Sequence, residues 1–196
     1  NKVAKSGGAI YSDLSRSEIN INNSFIIGNE ASRGGGLATL YSKFKIYNSK
    51  VSNNKASLLG GGIYVNGSPN GLLYNTIVSD NSAVQAGGGM HIWGDTQYYR
   101  TANLNIVKCI IQGNNVTKVT HVSGSNNYRY NNGGGGIFLN YESHVILRET
   151  TFTSNYAKNN EGHAMRVDYI TGHNNDPNGN RWEGTPKISM INTYVK

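Results

Sequence analysis

Cysteine, proline, charge and long apolar runs are all scarce in this sequence, and each scarcity excludes a class of protein. The single Cys109 rules out an internal disulfide framework. No segment approaches the ~20 consecutive apolar residues of a membrane-spanning helix, so we expect no transmembrane segment. The N-terminus lacks the basic and then apolar pattern of a signal peptide. We expect residues 1–196 to form one domain within a longer chain or assembly.

Glycine and asparagine are the abundant residues: 25 Gly and 29 Asn together make 54 of the 196 residues. Both are poor helix formers, which argues against a helical bundle. Hydrophobic residues make up 37% of the chain, which argues against disorder. The net charge of +7 suits anionic partners such as acidic glycans. No basic run exceeds two residues, so we predict no specific binding of nucleic acid.

A Gly-rich segment followed by an apolar residue occurs six times along the chain. The apolar anchors lie 27, 26, 27, 47 and 28 residues apart, at Ile10, Leu37, Ile63, Met90, Ile137 and Met165. A fixed period in this range is typical of solenoid proteins, in which each repeat forms one coil of a stack. The sequence therefore predicts an all-β fold, a parallel β-helix or β-solenoid of about six coils.

A second block follows each Gly-rich segment and starts at Asn23, Asn48, Asn75, Lys108, Glu149 and Asn192. Its second position is always small and its fourth is always apolar, so we predict that both face inward. Its third position has no common chemistry, which indicates an outward face. A short alternating segment, such as Phe44 and Ile46, lies between the two blocks. We therefore expect three strands in each coil.

The last position of the second block is occupied by asparagine in all five complete copies, namely Asn29, Asn54, Asn81, Asn114 and Asn155. Asparagine tolerates a left-handed backbone, and its amide can hydrogen-bond the same residue one coil above or below. We therefore predict a structural Asn ladder at a tight, left-handed corner of the coils.

These paired repeats resemble those of the polymorphic outer membrane protein family, which are of the Gly-Gly-Ala-Ile and Phe-x-x-Asn types. Gly7–Ile10 (GGAI) and Phe152–Asn155 (FTSN) match the two types literally, and other copies replace Phe by Ile or Val. The resemblance implies a right-handed parallel β-helix exposed outside the cell, as in autotransporter passenger domains that act as adhesins.

Three insertions break the period, all in coils four to six, where loops of a solenoid often form its binding face. Each mixes aromatic residues with arginine, a combination favoured at interfaces and for stacking on sugars. The candidate binding residues are Tyr98, Tyr99, Arg100, Tyr128, Arg129, Tyr130, Arg181 and Trp182. The alternative is that these loops pack on themselves and cover the side of the helix.

The outward position of the first strand forms another column, which contains Tyr11, Ala38, Tyr64, His91, Phe138 and Arg166. We expect an exposed ladder of stacked side chains that stabilises the sheet. A carbohydrate-binding stripe is the alternative.

Catalytic residues, cofactors and metals are not predicted. Polysaccharide lyases and hydrolases need clustered carboxylates, whereas the acidic residues here are scattered. The histidines have no metal-ligand spacing. Asn174, Asp176 and Asn178 reproduce the start of a calcium loop, but the closing Glu is absent and a Pro-Asn-Gly turn explains them.

Three sequons mark candidate N-glycosylation sites at Asn22, Asn66 and Asn115, conditional on a eukaryotic secretory origin.

The leading hypothesis is a non-enzymatic structural and adhesive module, extracellular or on the cell surface, for example a subunit of a filament or appendage. Because the strand edges at both ends are unpaired, the expected partners are neighbouring coils, domains or further copies. A glycan or a host or matrix surface is a further expected partner. The alternative is a β-helix that binds or cleaves carbohydrate with the loops of coils four to six.

Overall fold

The computed structural model describes residues 1–2, 5–13, 17–95, 101–118, 133–158, 162–168 and 185–196. In these ranges the chain forms strands β1 to β23, which stack in four parallel sheets. Each inner strand pairs with its equivalents in the preceding and following coils, and each edge strand pairs on one side within its sheet. The fold is therefore a parallel β-helix of six coils, as the repeats predicted.

The sheets are numbered here in the order in which the chain visits them. Sheet 1 contains β1 (Ile10–Asp13), β5 (Leu37–Leu40), β9 (Ile63–Asn66), β13 (Met90–Trp93), β17 (Ile137–Asn140) and β21 (Met165–Asp168). Sheet 2 contains β2 (Glu18–Asn22), β6 (Lys43–Tyr47), β10 (Gly71–Tyr74), β14 (Ala102–Val107), β18 (Ser143–Arg148) and β22 (Lys187–Ile191).

Sheets 3 and 4 follow on the other side of each coil. Sheet 3 contains β3 (Phe25–Ile27), β7 (Lys50–Ser52), β11 (Ile77–Ser79), β15 (Ile110–Gln112), β19 (Thr151–Thr153) and β23 (Tyr194–Val195). Sheet 4 contains β4 (Glu30–Arg33), β8 (Lys55–Leu59), β12 (Ser82–Ala83), β16 (Asn115–Val116) and β20 (Tyr156–Ala157).

The fourth sheet corrects the expectation of three strands per coil. Three of its five strands have only two residues, and each of the five has a single buried apolar residue, so no alternating pattern marks them in the sequence. These inward residues are Ala31, Ala56, Ala83, Val116 and Ala157, and all are buried.

The interior is formed by the inward columns of all four sheets. In the third coil these are Ile63, Leu73, Val78 and Ala83, each at most 1% exposed. The six apolar anchors pair with one another in register from β1 to β21. The predicted inward and outward positions of the second block are confirmed, since Val78 is buried whereas Phe25 and Ile110 are 75% and 38% exposed.

The small inward position of sheet 3 has a hydrogen-bonding role as well. The Ser49 hydroxyl donates to the Tyr47 carbonyl at 2.6 Å, and the Thr150 hydroxyl donates to the Arg148 carbonyl at 3.0 Å. The Cys109 thiol occupies the equivalent place and donates to the Val107 carbonyl at 3.2 Å. Each side chain thus satisfies a carbonyl at the corner between sheets 2 and 3.

The left-handed residues at the corner between sheets 3 and 4 are not the ladder asparagines. Positive φ angles of 53° to 70° occur one residue earlier, at Gly28, Asn53, Asp80, Gly113 and Ser154. The predicted conformation therefore belongs to the preceding residue. The ladder asparagine is placed by that turn so that its amide points into the interior of the stack.

Candidate functional site

The loop residues predicted to bind a ligand lie outside the described residues. This applies to all eight, from Tyr98 to Trp182, and to the calcium-loop candidates Asn174, Asp176 and Asn178. Their roles stay predictions.

The asparagine ladder runs through the described coils. Each amide Oδ1 accepts two hydrogen bonds from the preceding coil, one from the asparagine Nδ2 and one from its backbone N–H. For Asn81, whose Oδ1 receives both from Asn54, the distances are 3.0 Å and 3.0 Å. Asn81 Nδ2 also donates to the Val51 carbonyl at 3.0 Å. The ladder gives the buried amide groups hydrogen-bond partners, without which their burial would lower the stability of the fold.

Four of the six residues in the outward column of sheet 1 are buried, which corrects the expectation of an exposed ladder, whereas Tyr11 in the first coil is 49% exposed. Ala38, Tyr64, His91 and Phe138 are at most 4% exposed. The His91 ring stacks between Tyr64, with centroids 5.5 Å apart, and Phe138, with centroids 5.2 Å apart. Because this face is buried, a carbohydrate-binding stripe at these three rings is excluded.

Burial shifts the ionisation of this column. It lowers the pKa of His91 to about 3, with a smaller effect from the nearby Arg33 cation. Burial also raises the pKa of Tyr64 to about 12. Both rings are therefore neutral at physiological pH and act as packing residues.

The three sequons differ in their surroundings. Asn22 ends β2 and is exposed, and its Oδ1 accepts a hydrogen bond from Asn48 Nδ2 at 3.4 Å. The amide Oδ1 atoms of Asn66 and Asn115 are buried at the ends of β9 and β16. Of the three, Asn22 therefore offers the most accessible amide.

The sixth coil exposes inward-facing apolar residues. Val167, Met190 and Val195 in the sixth coil are 43%, 46% and 53% exposed. Their partners one coil earlier are Leu139, Leu147 and Phe152, all 0% exposed. At the opposite end, a cavity of ≈ 640 Å³ opens beside Ile10, Ile21 and Ile26.

A shallow groove of ≈ 330 Å³ lies on the outer face of sheet 3. Its floor is the outward column Phe25, Lys50, Ile77 and Ile110, whose members pair in register through four coils. This surface was not identified from the sequence, where the column was noted only for having no common chemistry.

The wall of this groove is the corner between sheets 2 and 3. Asn48 and Asn75 stand there, and Asn75 Nδ2 donates to Asn48 Oδ1 at 2.8 Å. Lys108 occupies the same position in the next coil, and its ammonium lies 5.9 Å from the centroid of the Tyr74 ring. The groove therefore combines apolar surface, amides and two cations.

Charged side chains elsewhere form separate surface pairs. Lys45 lies 2.8 Å from Glu18, and the salt bridge lowers the pKa of that carboxyl.

Within the described residues, no three His, Cys, Asp or Glu side chains lie close enough together to hold a metal ion. In that same part of the chain, no helix has the length and apolarity needed to cross a membrane.

Comparison with known proteins agrees with this architecture. The family model described as "Right handed beta helix region" matches residues 1–175. No curated protein and no solved structure matches the chain. The narrower resemblance to polymorphic outer membrane proteins stays a prediction. Because this family match covers most of the sequence and the strands form a stack of parallel coils, the chain belongs to the right-handed beta helix family.

Proposed function

We propose that this chain is a non-enzymatic, extracellular structural and adhesive module, and that its coil stack continues onto neighbouring coils at its ends. The observation that carries the proposal is the exposure of Met190 and Val195 at 46% and 53%. Both lie in inward columns whose other members are buried apolar residues. We therefore infer that apolar residues of a further coil cover them.

Stacking another coil would satisfy two needs at once. Among the described strands, β22 and β23 stand at the edges of their sheets, and another coil would give them a second strand partner, as each inner coil has. The exposed apolar side chains would leave water, which contributes roughly 25 cal/mol for each Å² buried. Further coils of a longer chain, another domain or a second copy would each supply these contacts.

A non-enzymatic role is supported by three carboxylates that form ion pairs in separate parts of the fold. Glu30 pairs with Lys2, Glu149 with Lys108 and Asp168 with Arg166, at 3.7, 3.9 and 3.0 Å. These pairs lie in different coils and sheets, so they do not form an acid and base couple. The resemblance to passenger-domain repeats supports an extracellular location.

The test compares the self-association of two variants of the 196-residue chain. Met190→Lys places a charge on the exposed end of the interior, whereas Ile191→Lys places it on the outward side of the same strand. Sedimentation velocity and negative-stain imaging at low micromolar concentration should show end-to-end association for the wild type and Ile191→Lys, and its loss for Met190→Lys. A wild type that stays monomeric contradicts stacking by a second copy and leaves further coils of a longer chain or another domain to cover this end.

The enzymatic alternative has its own assay. Incubation with acidic and neutral polysaccharides should release no new chain ends. Cleavage of either kind of polysaccharide would show that the protein is a lyase or hydrolase, and the non-enzymatic role would be wrong.

A further inference from the structure

We propose that the groove on the outer face of sheet 3 binds an acidic polysaccharide, a linear glycan that carries carboxylate or sulfate groups. The inference gives the adhesive part of the proposed function a ligand and so rests on it. The groove lies within described residues and away from the sixth coil, so the two ideas are tested by different variants.

The apolar part of the groove suits the faces of sugar rings. Phe25 is 75% exposed and Ile110 is 38% exposed, although both lie on a regular sheet where polar outward residues are the norm. The ring and branched side chains offer flat apolar surface to the C–H faces of a sugar. The neighbouring Asn48 and Asn75 amides supply donors and acceptors for its hydroxyl groups.

The charge of the groove suits an anion. Lys50 and Lys108 line it, and none of the nine lining residues is acidic. Lys108 faces Glu149 at 3.9 Å, but both side chains are half exposed, at 50% and 55%. An exposed ion pair of this length is weak, so a ligand carboxylate or sulfate can displace it. The net charge of +7 favours the approach of a polyanion.

The periodicity of the groove suits a linear polymer that runs along the helix axis. Equivalent positions repeat at the spacing of neighbouring strands, ~4.8 Å, which is close to the length of one sugar unit in an extended chain. A peptide that adds as a strand needs a free sheet edge. Here β7, β11 and β15 are each paired on both sides, so an extended peptide gains no backbone hydrogen bonds on this face.

The two lysines lie two coils apart, and this low density of cations also distinguishes the groove from a nucleic-acid site. Binding to a nucleic-acid strand is dominated by many phosphate contacts, each made by a cation. A glycan with occasional acidic groups needs fewer cations and more hydroxyl-binding amides, which is the composition observed.

The experiment measures binding of heparin, polygalacturonate, dextran and single-stranded DNA to the whole chain by isothermal titration calorimetry. Heparin tests sulfate together with carboxylate, polygalacturonate tests carboxylate alone, and dextran is the neutral control. We expect binding of at least one acidic polysaccharide, with affinity that falls as salt is raised, and no binding of dextran.

Two double variants separate the groove from general charge. Lys50→Ala with Lys108→Ala should weaken acidic-polysaccharide binding roughly tenfold, because two charge-assisted contacts are lost. Lys43→Ala with Lys55→Ala removes the same charge, from +7 to +5, at exposed positions outside the groove. This control should change the affinity by less than about twofold, because neither lysine lines the groove. Phe25→Ser should weaken binding without any change of charge.

Several outcomes overturn the inference. These are equal losses in the two lysine variants, equal binding of dextran, tighter binding of DNA than of either acidic glycan, and no binding of any probe. The Met190→Lys variant should bind the glycan normally, so failure of end-to-end association and failure of glycan binding remain distinguishable.

Discussion

Asn114 Oδ1 accepts hydrogen bonds from both the Nδ2 and the backbone N–H of Asn81, at 3.0 and 3.1 Å, although the two residues are 33 positions apart. Both side chains are 0% exposed. The same pair of bonds joins Asn114 to Asn155, so one amide column connects successive coils. Buried polar groups stabilise a fold only when each has a partner.

Replacing Asn114 by alanine should therefore be costly. The two donors of Asn81 lose their acceptor, and the Val78 carbonyl loses the Asn114 Nδ2 donor. We expect the free energy of unfolding to fall by about 3 kcal/mol or more. Guanidinium unfolding measures this. Asn105→Ala, at an exposed outward position of β14, is the matched control and should change stability by less than about 0.5 kcal/mol. Equal effects of the two variants would show that the ladder does not stabilise the stack.

Gly88 should tolerate alanine far less well than Gly28. A Cβ on Gly88 would lie 2.5 Å from the Gly135 carbonyl oxygen and 2.6 Å from the Asn115 nitrogen, both backbone atoms. A Cβ on Gly28 meets nothing within 4 Å, although its φ is +70°. We expect Gly88→Ala to cost roughly 3 kcal/mol through overpacking. Gly28→Ala should cost only about 1 to 2 kcal/mol, from the left-handed backbone alone. Thermal unfolding of both variants tests the difference, and a larger loss for Gly28→Ala would contradict it.

His91 should make stability depend on pH. Its pKa is lowered to about 3 in the folded protein, from 6.5, mainly by burial. Between these values the unfolded state binds a proton that the native state does not, so stability falls as pH falls from 6.5 towards 3. It is flat above that range as far as His91 is concerned. The contribution is on the order of 4 to 5 kcal/mol when complete.

Denaturant unfolding between pH 7 and 4 measures this dependence. His91→Phe keeps an aromatic ring between Tyr64 and Phe138 but cannot be protonated, so the fall in stability should be smaller than in the wild type. The proposed origin is wrong if both proteins lose stability in parallel.

The Cys109 thiol should not react in the native protein. It is 1% exposed, and burial raises its pKa to about 11. A thiol-specific reagent at pH 8 should label one cysteine only after unfolding, because the thiolate is the reactive form. A Cys109→Ser chain with Asn105→Cys, at an exposed position, is the control and should react in the native state. Rapid labelling of native Cys109 would mean that the interior opens readily.

Much of the architecture was predictable from residue columns. In a parallel stack, equivalent residues of successive coils lie side by side, so Ile63, Met90 and Ile137 have to satisfy the same environment. The ladder position is the clearest case, because Asn54, Asn81 and Asn114 must each match the residue before and after them. The number of coils, the inward positions and the asparagine ladder could therefore be predicted from the sequence repeats.

Other features were not predictable in this way. Sheet 4 has a single inward alanine in most coils, such as Ala56 and Ala83, which produces no period. His91 is outward in its strand yet 1% exposed, because burial depends on what packs against the outer face. The groove aligns Phe25, Ile77 and Lys108 along one surface, although they belong to different repeats and have unrelated side chains.

The sequence by itself determined the six coils and the inward columns, because stacking in register imposes one requirement on all members of a column. The right-handed fold was implied by the resemblance of the repeats, and the family match agrees with it. The tertiary structure alone decided the fourth sheet, the residue that turns left-handed at the ladder corner, the buried outer face of sheet 1 and the groove on sheet 3. These depend on side-chain size and contacts between neighbouring columns, which a repeat within one column does not encode.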